Sequence, residues 1–410
     1  METRLPEDFR RSSEGQEAER ILRSCVHCGF CTATCPTYGV LGDELDGPRG
    51  RIYLIKQMLE QGRAGAQTRE HLDRCLLCRS CETTCPSGVE YHRLLEIGRK
   101  RLEGLAPLPL QQRLLRGLLL RAVPMRHRIG TLLRLGRWVA PLLPAALRHK
   151  LYRPRPGSGF RARPHARRVV LFQGCVEPAA LPAAREAALR LLDALGVRGD
   201  SLAGEQCCGA LEHHLQAEHR ARHRARRNLD LWRRALDEGA EAILGLSSAC
   251  VLEIHEYPDL LRDEPEYLAL AQRVLSRVQP FEVWLEGHWP VHWDGIARGR
   301  VAWHPPCTLQ HGLRAASVVP NLLRRAGFEV LLPADSHLCC GAAGTYSLFQ
   351  PAMSERLRED KLAALQALEP EVVASANVGC LMHLEPAAAI PVRHWVEVLA
   401  EAVPPDRPAP

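Results

Sequence analysis

Eight of the sixteen cysteines in this chain of 410 residues repeat one spacing twice. Each copy has the pattern Cys-x2-Cys-x2-Cys-x3-Cys-Pro. The first copy contains Cys25, Cys28, Cys31 and Cys35 before Pro36, and the second contains Cys75, Cys78, Cys81 and Cys85 before Pro86. Two-residue gaps let one tight loop direct three thiolates at three irons of a cubane [4Fe–4S] cluster. The spacing therefore predicts two [4Fe–4S] clusters and a role in electron transfer.

The fourth cysteine of each copy, just before the proline, is expected to complete the cluster of the other copy. The predicted ligands are Cys25, Cys28, Cys31 and Cys85 for cluster 1, and Cys75, Cys78, Cys81 and Cys35 for cluster 2. Zinc sites usually place two cysteine pairs at the ends of a longer loop, which does not match three equally spaced cysteines. The iron–sulfur interpretation is therefore favoured over zinc and over a disulfide framework.

The other eight cysteines form a second internal repeat. The first unit has Cys175, Cys207, Cys208 and Cys250, and the second has Cys307, Cys339, Cys340 and Cys380. In each unit, 32 residues separate the first cysteine from a Cys-Cys-Gly triplet, and the two triplets are 132 residues apart. This regularity indicates duplication of one structural module. The glycines after the double cysteines, Gly209 and Gly341, permit close backbone approach and favour a site over simple packing.

The elements that must position these cysteines alternate between strand and helix patterns. Apolar runs at 169–172, 242–246, 301–303 and 372–374 predict buried strands, and helices are predicted near 183–195, 217–238 and 318–326. The predicted fold class is α/β, with a small helical ferredoxin-like two-cluster domain followed by a duplicated cysteine-rich domain with mainly parallel sheets. We expect domains at 15–100 (two clusters), 101–167 (basic linker helices), 168–290 (first module) and 300–400 (second module). Sites in parallel sheets form beyond the carboxyl ends of strands, where these cysteines fall.

The segment 99–168 has an unusual charge. It contains eighteen Lys and Arg against the single acid Glu103, a net charge of +17, in a chain whose total is +7. Helical periodicity places Leu115, Leu118 and Leu119 on one face, with Arg113 and other arginines roughly opposite. Such a helix can pack on neighbouring domains, bind an acidic partner or lie on an anionic membrane. The pattern predicts packing or partner docking first and peripheral membrane contact second, and the two can coexist.

Composition excludes several classes of protein. The acidic N-terminus lacks the apolar region of a secretory signal, and no stretch approaches the 18 apolar residues of a membrane span. Cysteines in such a chain favour metal ligation over disulfides. Aromatic residues are few, at 5%, so base-stacking nucleic-acid binding is not expected.

The sequence contains no dinucleotide fingerprint, no Walker A motif and no pair of residues suited to oxidise a hydroxy acid, so no catalytic residue is predicted. Arg49 and Arg51, close after the first cysteine motif, could offset the negative charge of a cluster, but an ordinary solvated helix start is favoured for both.

Several longer sequence segments closely resemble one protein family. These segments are residues 25–38 and 42–52, His71-Leu-Asp-Arg-Cys75, Ser336-His-Leu-Cys-Cys-Gly341 and Pro391-Val-Arg-His-Trp395. They look like the iron–sulfur subunit of glycolate oxidase, from about residue 15 to the C-terminus and most weakly in the basic linker. The double-cysteine modules are shared with subunits of heterodisulfide reductase, anaerobic glycerol-3-phosphate dehydrogenase and lactate utilisation.

The resemblance implies a complex in which two flavoprotein subunits, the carriers of FAD, oxidise glycolate to glyoxylate. This chain would then pass electrons toward membrane quinone. We expect it at the cytoplasmic face of the inner membrane as a peripheral protein, or in the cytoplasm if detached. The equivalent subunit for lactate or glycerol-3-phosphate is the alternative within this class. An iron–sulfur redox sensor that binds nucleic acid is disfavoured, because paired clusters and duplicated modules suit electron transfer.

The modules depart from the family pattern at their last position. In heterodisulfide reductase relatives the module often ends with Cys-x-x-Cys and can hold a non-cubane cluster. Here the position of the second of these cysteines, three residues after the first, is Glu253 in the first module (after Cys250) and His383 in the second (after Cys380). Each module thus offers four thiolates, and His383 is a candidate fifth ligand in the second. A further iron–sulfur centre, a zinc or other structural metal, and no metal at all remain open for these third and fourth sites.

Overall fold

The N-terminal part of the chain is helical. The computed structural model describes residues 1–139 and 152–403, so residues 140–151 of the predicted linker lie outside the described part. Its helices are α1 (Glu7–Arg10), α2 (Ser13–Ser24), α3 (Pro36–Leu41), α4 (Pro48–Gln61), α5 (Ala66–Asp73), α6 (Ser80–Thr83), α7 (Tyr91–Leu105), α8 (Leu110–Ala122) and α9 (Arg126–Val139). Short 3₁₀ turns occupy Phe30–Thr32 and Glu44–Asp46.

Local sequence explains where the helices beside the cysteines begin. The Ser12 side chain accepts a hydrogen bond from Gly15 N and caps α2. The prolines that follow Cys35 and Gly47 take the first positions of α3 and α4, where no backbone donor is needed. Helices α2, α4 and α7 bury Ile21, Ile55 and Leu94 completely in one core. That core packs behind the cysteine loops and holds them.

A four-stranded parallel sheet forms the first cysteine-rich module. Its elements are β1 (Arg167–Phe172), α10 (Glu177–Ala180), α11 (Pro182–Ala194), β2 (Val197–Asp200), α12 (Ala210–His214), α13 (Glu218–Asp237), β3 (Ile243–Gly245), α14 (Ser248–His255), α15 (Tyr257–Leu260), α16 (Pro265–Leu275), β4 (Val278–Pro280) and α17 (Phe281–Gly287). The strand order is β2-β1-β3-β4, with Val170 opposite Ile243. Strand β1 ends in four buried apolar residues, as expected for a strand covered on both faces.

The second module repeats this architecture. After a 3₁₀ turn at Val291–Trp293, its elements are β5 (Arg300–Trp303), a π-helical turn (Thr308–Gly312), α18 (Val318–Ala326), β6 (Glu329–Leu331), α19 (Tyr346–Phe349), α20 (Pro351–Gln366), β7 (Val372–Ser375), α21 (Val378–Leu384), a 3₁₀ turn (Glu385–Ala387), β8 (Val392–His394) and α22 (Trp395–Ala402). The order β6-β5-β7-β8 matches the first sheet strand for strand, and every pairing is parallel. The predicted α/β fold class is confirmed.

The chain divides into two compact units. Unit 1 comprises residues 1–117 and 337–361, and unit 2 comprises 118–336 and 362–410. Both sheets belong to unit 2, whereas the second double cysteine, Cys339-Cys340, belongs to unit 1 with the N-terminal helices. The predicted domain boundaries follow the sequence repeats instead and stay predictions.

Candidate metal centres

Two loops that lie far apart in sequence line one cavity in unit 1. Cys25, Cys28, Cys31 and Cys85 all border this open cavity of about 440 Å³. Burial raises the pKa of Cys31 to about 11, and Cys25 adds to the rise. Thiols in such surroundings stay protonated unless a cation compensates the thiolates. Four soft sulfur donors around one cavity fit an iron–sulfur cluster.

A second cavity of about 370 Å³ collects the other four cysteines. Its lining includes Cys35 from the first motif and Cys75, Cys78 and Cys81 from the second. Cys81 borders both cavities, as do Pro48 and Tyr91. The structure thus brings together each set of four cysteines predicted for a cluster. The shared lining residues also place the two cavities side by side.

The backbone of both cysteine loops turns in the same way. His27 and Leu77, which occupy equivalent positions, have left-handed φ values of 57° and 55°. Gly29 and Arg79, at the next pair of equivalent positions, have φ values of 85° and 61°. Two left-handed residues in a seven-residue loop curl it around a centre. Arg79 takes a conformation that glycine adopts more readily, so the second loop carries the greater strain.

Arg51 is a buried part of the second cavity, so the interpretation as a solvated residue is wrong. The side chain is 1% exposed. It donates to His71 O at 2.7 Å, to Thr37 Oγ1 at 3.0 Å and to Asp46 Oδ1 at 3.3 Å. Burial opposes its charge, but nearby Cys75 and other acidic groups raise the pKa of Arg51 overall. A fixed cation beside the cavity favours a negatively charged cluster. Arg49 lines the first cavity but is partly exposed.

The four cysteines of the first module also meet. Cys175 follows strand β1, and Cys250 lies in the first turn of α14. Cys207 and Cys208 lie just before α12. The sulfurs of Cys175 and Cys207 are 3.3 Å apart. Hydrogen bonds link Cys208 both to Cys207 and to Cys250. The contact with Cys175 lowers the pKa of Cys207, and Arg224 acts in the same direction. This set of four could hold a metal, and its content stays a prediction.

The buried contacts of charged side chains next to this module were not predicted from the sequence. Glu212 is fully buried and forms an ion pair with Arg224 Nε. His213 Nδ1 lies 3.0 Å from Glu253 Oε1, and both side chains are buried. Glu253 occupies the position where related modules place another cysteine, and this spacing was the available signal. Sequence patterns could not indicate the Arg224 contact, because it depends on how α12 packs on α13.

Gly209 and Gly341 have a conformational role after the double cysteines. Their φ values are 96° and 89°. A Cβ on Gly341 would lie 2.6 Å from Ser354 O, whereas one on Gly209 would meet Ala221 at an ordinary 3.5 Å. Both positions therefore need glycine for the turn, and only Gly341 also needs it for close packing.

The cysteines of the second module are divided between the two units. Cys307 precedes the π-helical turn and Cys380 lies in α21, both in unit 2. Asn377 Nδ2 donates to Cys380 Sγ at 3.4 Å. In unit 1, Gly341 N donates to Cys339 Sγ at 3.4 Å. His383 lies half-buried one helical turn after Cys380. The fourth site, Cys307, Cys339, Cys340 and Cys380 with His383, stays a prediction.

The basic helices differ from the predicted arrangement of faces. Leu118 is exposed, whereas Leu115 and Leu119 are half-buried, and the exposed leucines of α8 are Leu110, Leu114 and Leu118. Arg116 forms an ion pair with Glu103 at 2.7 Å, so it is not a free surface charge. On α9, Leu132, Leu135 and Trp138 are exposed. Within the described ranges, no helix is long and apolar enough to cross a membrane.

Comparisons with known proteins agree with this site. Residues 21–89 match the 4Fe-4S dicluster domain family, and residues 169–255 and 301–385 match the cysteine-rich domain family. The prediction of two [4Fe–4S] clusters is confirmed by the first match. A crystal structure of a hypothetical protein from Helicobacter pylori has a TM-score of 0.57 at 11% identity, covering 97% of this chain and 74% of that one. This likeness concerns the fold alone.

Two curated relatives match nearly the whole chain, and a third matches about half of it. The glycolate oxidase iron–sulfur subunit of Escherichia coli (strain K12) is 45% identical, covering 98% of this chain and 99% of that protein. The probable glycolate oxidase iron–sulfur subunit of Bacillus subtilis (strain 168) is 29% identical, covering 92% and 90%. Lactate utilization protein A of Bacillus velezensis is 27% identical, covering 53% and 90%. The resemblance seen in the sequence is confirmed, and the chain belongs to the glycolate oxidase iron–sulfur subunit family.

Proposed function

We propose that this chain is the electron-transfer subunit of a flavin-dependent glycolate oxidase complex. The observation that carries the proposal is the pair of four-thiol cavities with shared lining residues, in a chain similar throughout to a named glycolate oxidase iron–sulfur subunit. Side-by-side cavities suit two one-electron carriers that exchange electrons. The proposed ligands are Cys25, Cys28, Cys31 and Cys85 for one cluster and Cys35, Cys75, Cys78 and Cys81 for the other.

The chemistry is divided between this chain and its partners. Oxidation of one glycolate to glyoxylate removes two electrons and two protons. Hydride or two-electron removal from such a substrate requires a flavin or nicotinamide, which we assign to two flavoprotein subunits. Two one-electron clusters can accept the two electrons, while the protons leave on the flavoprotein side. Arg51 supports this role, because its buried charge stabilises the more negative, reduced state of the nearby cluster.

We further propose that the complex attaches peripherally to the cytoplasmic face of the inner membrane and delivers electrons to quinone. Helix α9 supports this proposal, because its exposed Leu132, Leu135 and Trp138 lie on a helix that contains arginines and no acid. Apolar side chains can insert at the lipid interface while basic residues attract anionic headgroups, by about 1 kcal/mol per residue near the surface.

The function is tested with the complex of this chain and the flavoproteins expressed with it. We expect anaerobic addition of glycolate to bleach the iron–sulfur absorbance of this chain and to produce its reduced-cluster spectrum. The 27% identity to lactate utilization protein A makes lactate the competing substrate. Bleaching by lactate but not by glycolate would assign the chain to lactate oxidation. If neither substrate reduces the clusters, the electron-transfer proposal is wrong.

Membrane attachment is tested separately by flotation with vesicles that contain anionic lipid. The complex should float at low salt and partly detach at high salt, since the attraction is screened. Replacing Leu132, Leu135 and Trp138 with serine should weaken flotation, whereas Val291→Ser, at a residue 77% exposed elsewhere in unit 2, should not. Equal flotation of both variants would remove α9 from the proposed attachment surface.

A further inference from the structure

The two cysteine loops of unit 1 differ sharply in exposure, although their backbones turn alike. Val26 in the first loop is 67% exposed, and its counterpart Leu76 in the second is 6% exposed. Phe30 is 61% exposed, and its counterpart Ser80 is 1% exposed. The loops have the same spacing and the same left-handed positions, so the local fold does not explain the difference. The first loop presents apolar side chains to solvent at two positions, and the second loop buries both equivalent positions.

A cluster ligand lies between these exposed side chains. Cys28 is the exposed cysteine of unit 1, whereas its counterpart Cys78 is partly buried. Val26 borders the first cavity together with Cys28. Exposed valine and phenylalanine on one short loop are unfavourable in water unless another surface covers them. Because electron tunnelling weakens steeply with distance, a redox partner gains most by docking where a ligand reaches the surface.

The second loop has a neighbour within unit 1 itself. Tyr346, in the segment 337–361, donates a hydrogen bond from Oη to Arg74 O at 3.0 Å, directly before Cys75. Its side chain is buried. The segment 337–361, which also carries Cys339 and Cys340, therefore lies against the second loop, and the first loop is the one left open to another molecule.

We propose that the first cysteine loop is the docking surface for the electron-donating flavoprotein subunit, with Val26 and Phe30 as apolar contacts around Cys28. This inference rests on the proposed function. Electrons enter one at a time at the first cluster, pass to the second and leave from there toward the quinone acceptor of the proposed function. The occupant is a flavoprotein face of apolar character, because the loop offers two apolar side chains and no charged one. Electron-transfer partners commonly meet through small patches of this kind.

The test compares the affinity of the iron–sulfur subunit, with its clusters loaded, for the flavoprotein subunits. Val26→Glu and Phe30→Glu should each raise the Kd at least tenfold, since each places a charge in an apolar contact. Leu348→Glu is the matched control, because Leu348 is 54% exposed and lies on the segment next to the second loop. Iron content and visible absorbance equal to those of the wild type verify that the variants keep their clusters. Phe30→Leu should restore binding.

A measurement without substitutions makes the test independent of folding. On complex formation, hydrogen exchange should slow at residues 26–30 and stay unchanged at 346–350. If Leu348→Glu weakens binding while both first-loop variants bind normally, or if 26–30 gains no protection, the docking surface is wrong. If the wild-type chain binds no flavoprotein and its clusters are not reduced by glycolate or lactate, the proposed function itself fails.

Discussion

The predicted exchange of the fourth cysteine between the two motifs can be tested by substituting individual cysteines. Cys85 lines the same cavity as Cys25, Cys28 and Cys31, although these three cysteines precede it by 54 residues or more. If it ligates that cluster, Cys28→Ala combined with Cys85→Ala damages one cluster only. We therefore predict about four irons in this double variant, against about eight in the wild type. Iron and sulfide analysis of anaerobically purified protein measures this.

The matched control pairs Cys85 with the other motif. Cys78→Ala combined with Cys85→Ala should damage both clusters and leave little iron. The contradictory outcome is the reverse pattern, in which Cys78 and Cys85 together cost one cluster and Cys28 and Cys85 together cost two. That result would show that each motif ligates its own cluster.

Glu282 predicts a pH dependence of stability. The residue is 1% exposed, and within the described part of the chain its carboxyl oxygens have no partner beyond the weak contact with its own backbone N–H. Burial raises its pKa to about 8. The folded state then holds a proton that the unfolded chain loses near pH 4.5, so stability falls as pH rises between these values, by roughly 1.4 kcal/mol per pH unit. Glu282→Gln should remove this loss.

Urea unfolding of the wild type and Glu282→Gln at pH 6 and pH 8 checks the prediction. The variant should gain stability over the wild type at pH 8 by more than it does at pH 6. Glu286→Gln on the same helix is the control and should leave the pH dependence unchanged. A constant difference between Glu282→Gln and the wild type at both pH values would mean that Glu282 is ionised in the folded protein.

At this scale, spacing itself encodes geometry, because a tight loop leaves few arrangements. The two sets of four cysteines predicted as ligands each line one cavity, and their ligation of the clusters stays a prediction. The buried charges escaped prediction: Arg51, Glu212 and Glu282 are residue types that usually lie on the surface. Their burial depends on partners or on packing contributed by other helices, and a single sequence carries no pattern for such contacts.

At the scale of elements, the duplicated modules meet through equivalent residues. Ser247 and Asn377 each stand three positions before the last cysteine of their module, and Ser247 Oγ donates to Asn377 Oδ1 at 2.9 Å. Phe281 and Trp395 each begin the helix after the last strand, and their rings lie 6.0 Å apart. Pairing of equivalent positions is typical of a two-fold arrangement. The repeat could be predicted from the 32-residue spacing, but its contact face could not, because the spacing does not encode which surfaces pack.

His394 adds an asymmetric contact between the modules, with a consequence for acid stability. Its Nε2 donates to Leu246 O at 3.1 Å, and its Nδ1 accepts from Val396 N at 3.3 Å. A second proton on Nδ1 would break the latter bond. Burial lowers the pKa of His394 to about 4. The unfolded imidazole titrates near 6.5, so the stability from this residue is present above pH 6.5 and is lost as pH falls toward 4.

We predict that lowering the pH from 7 to 5.5 reduces the free energy of unfolding of the wild type by about 1 kcal/mol more than that of the His394→Asn variant. Denaturant unfolding followed by tryptophan fluorescence at both pH values measures this, with visible absorbance to verify that the clusters stay bound. His288→Asn serves as the control on an exposed histidine of unit 2. Equal acid sensitivity of the wild type and His394→Asn would contradict a neutral buried imidazole.

At the scale of the whole molecule, the two units depend on their cysteines to different extents. In unit 1, the loops that carry eight cysteines turn around two cavities. In unit 2, strands β1 and β3 bury Val170, Leu171 and Leu244 completely without any metal ligand among them. Metal binding contributes directly to folding where the ligands have no other reason to converge. Loss of iron should therefore affect the units unequally.

Removal of iron by a chelator under reducing conditions tests this difference by hydrogen exchange. We predict that amides at 25–35 and 75–85 lose protection by a factor of about 100 or more, because the free thiols no longer hold the loops together. Amides of β1, β3, β5 and β7 should change less than about tenfold, since their protection comes from buried parallel pairing. Equal loss of protection in the strands and in the cysteine loops would show that the clusters stabilise the sheets as well, and would make the whole chain one cooperative unit.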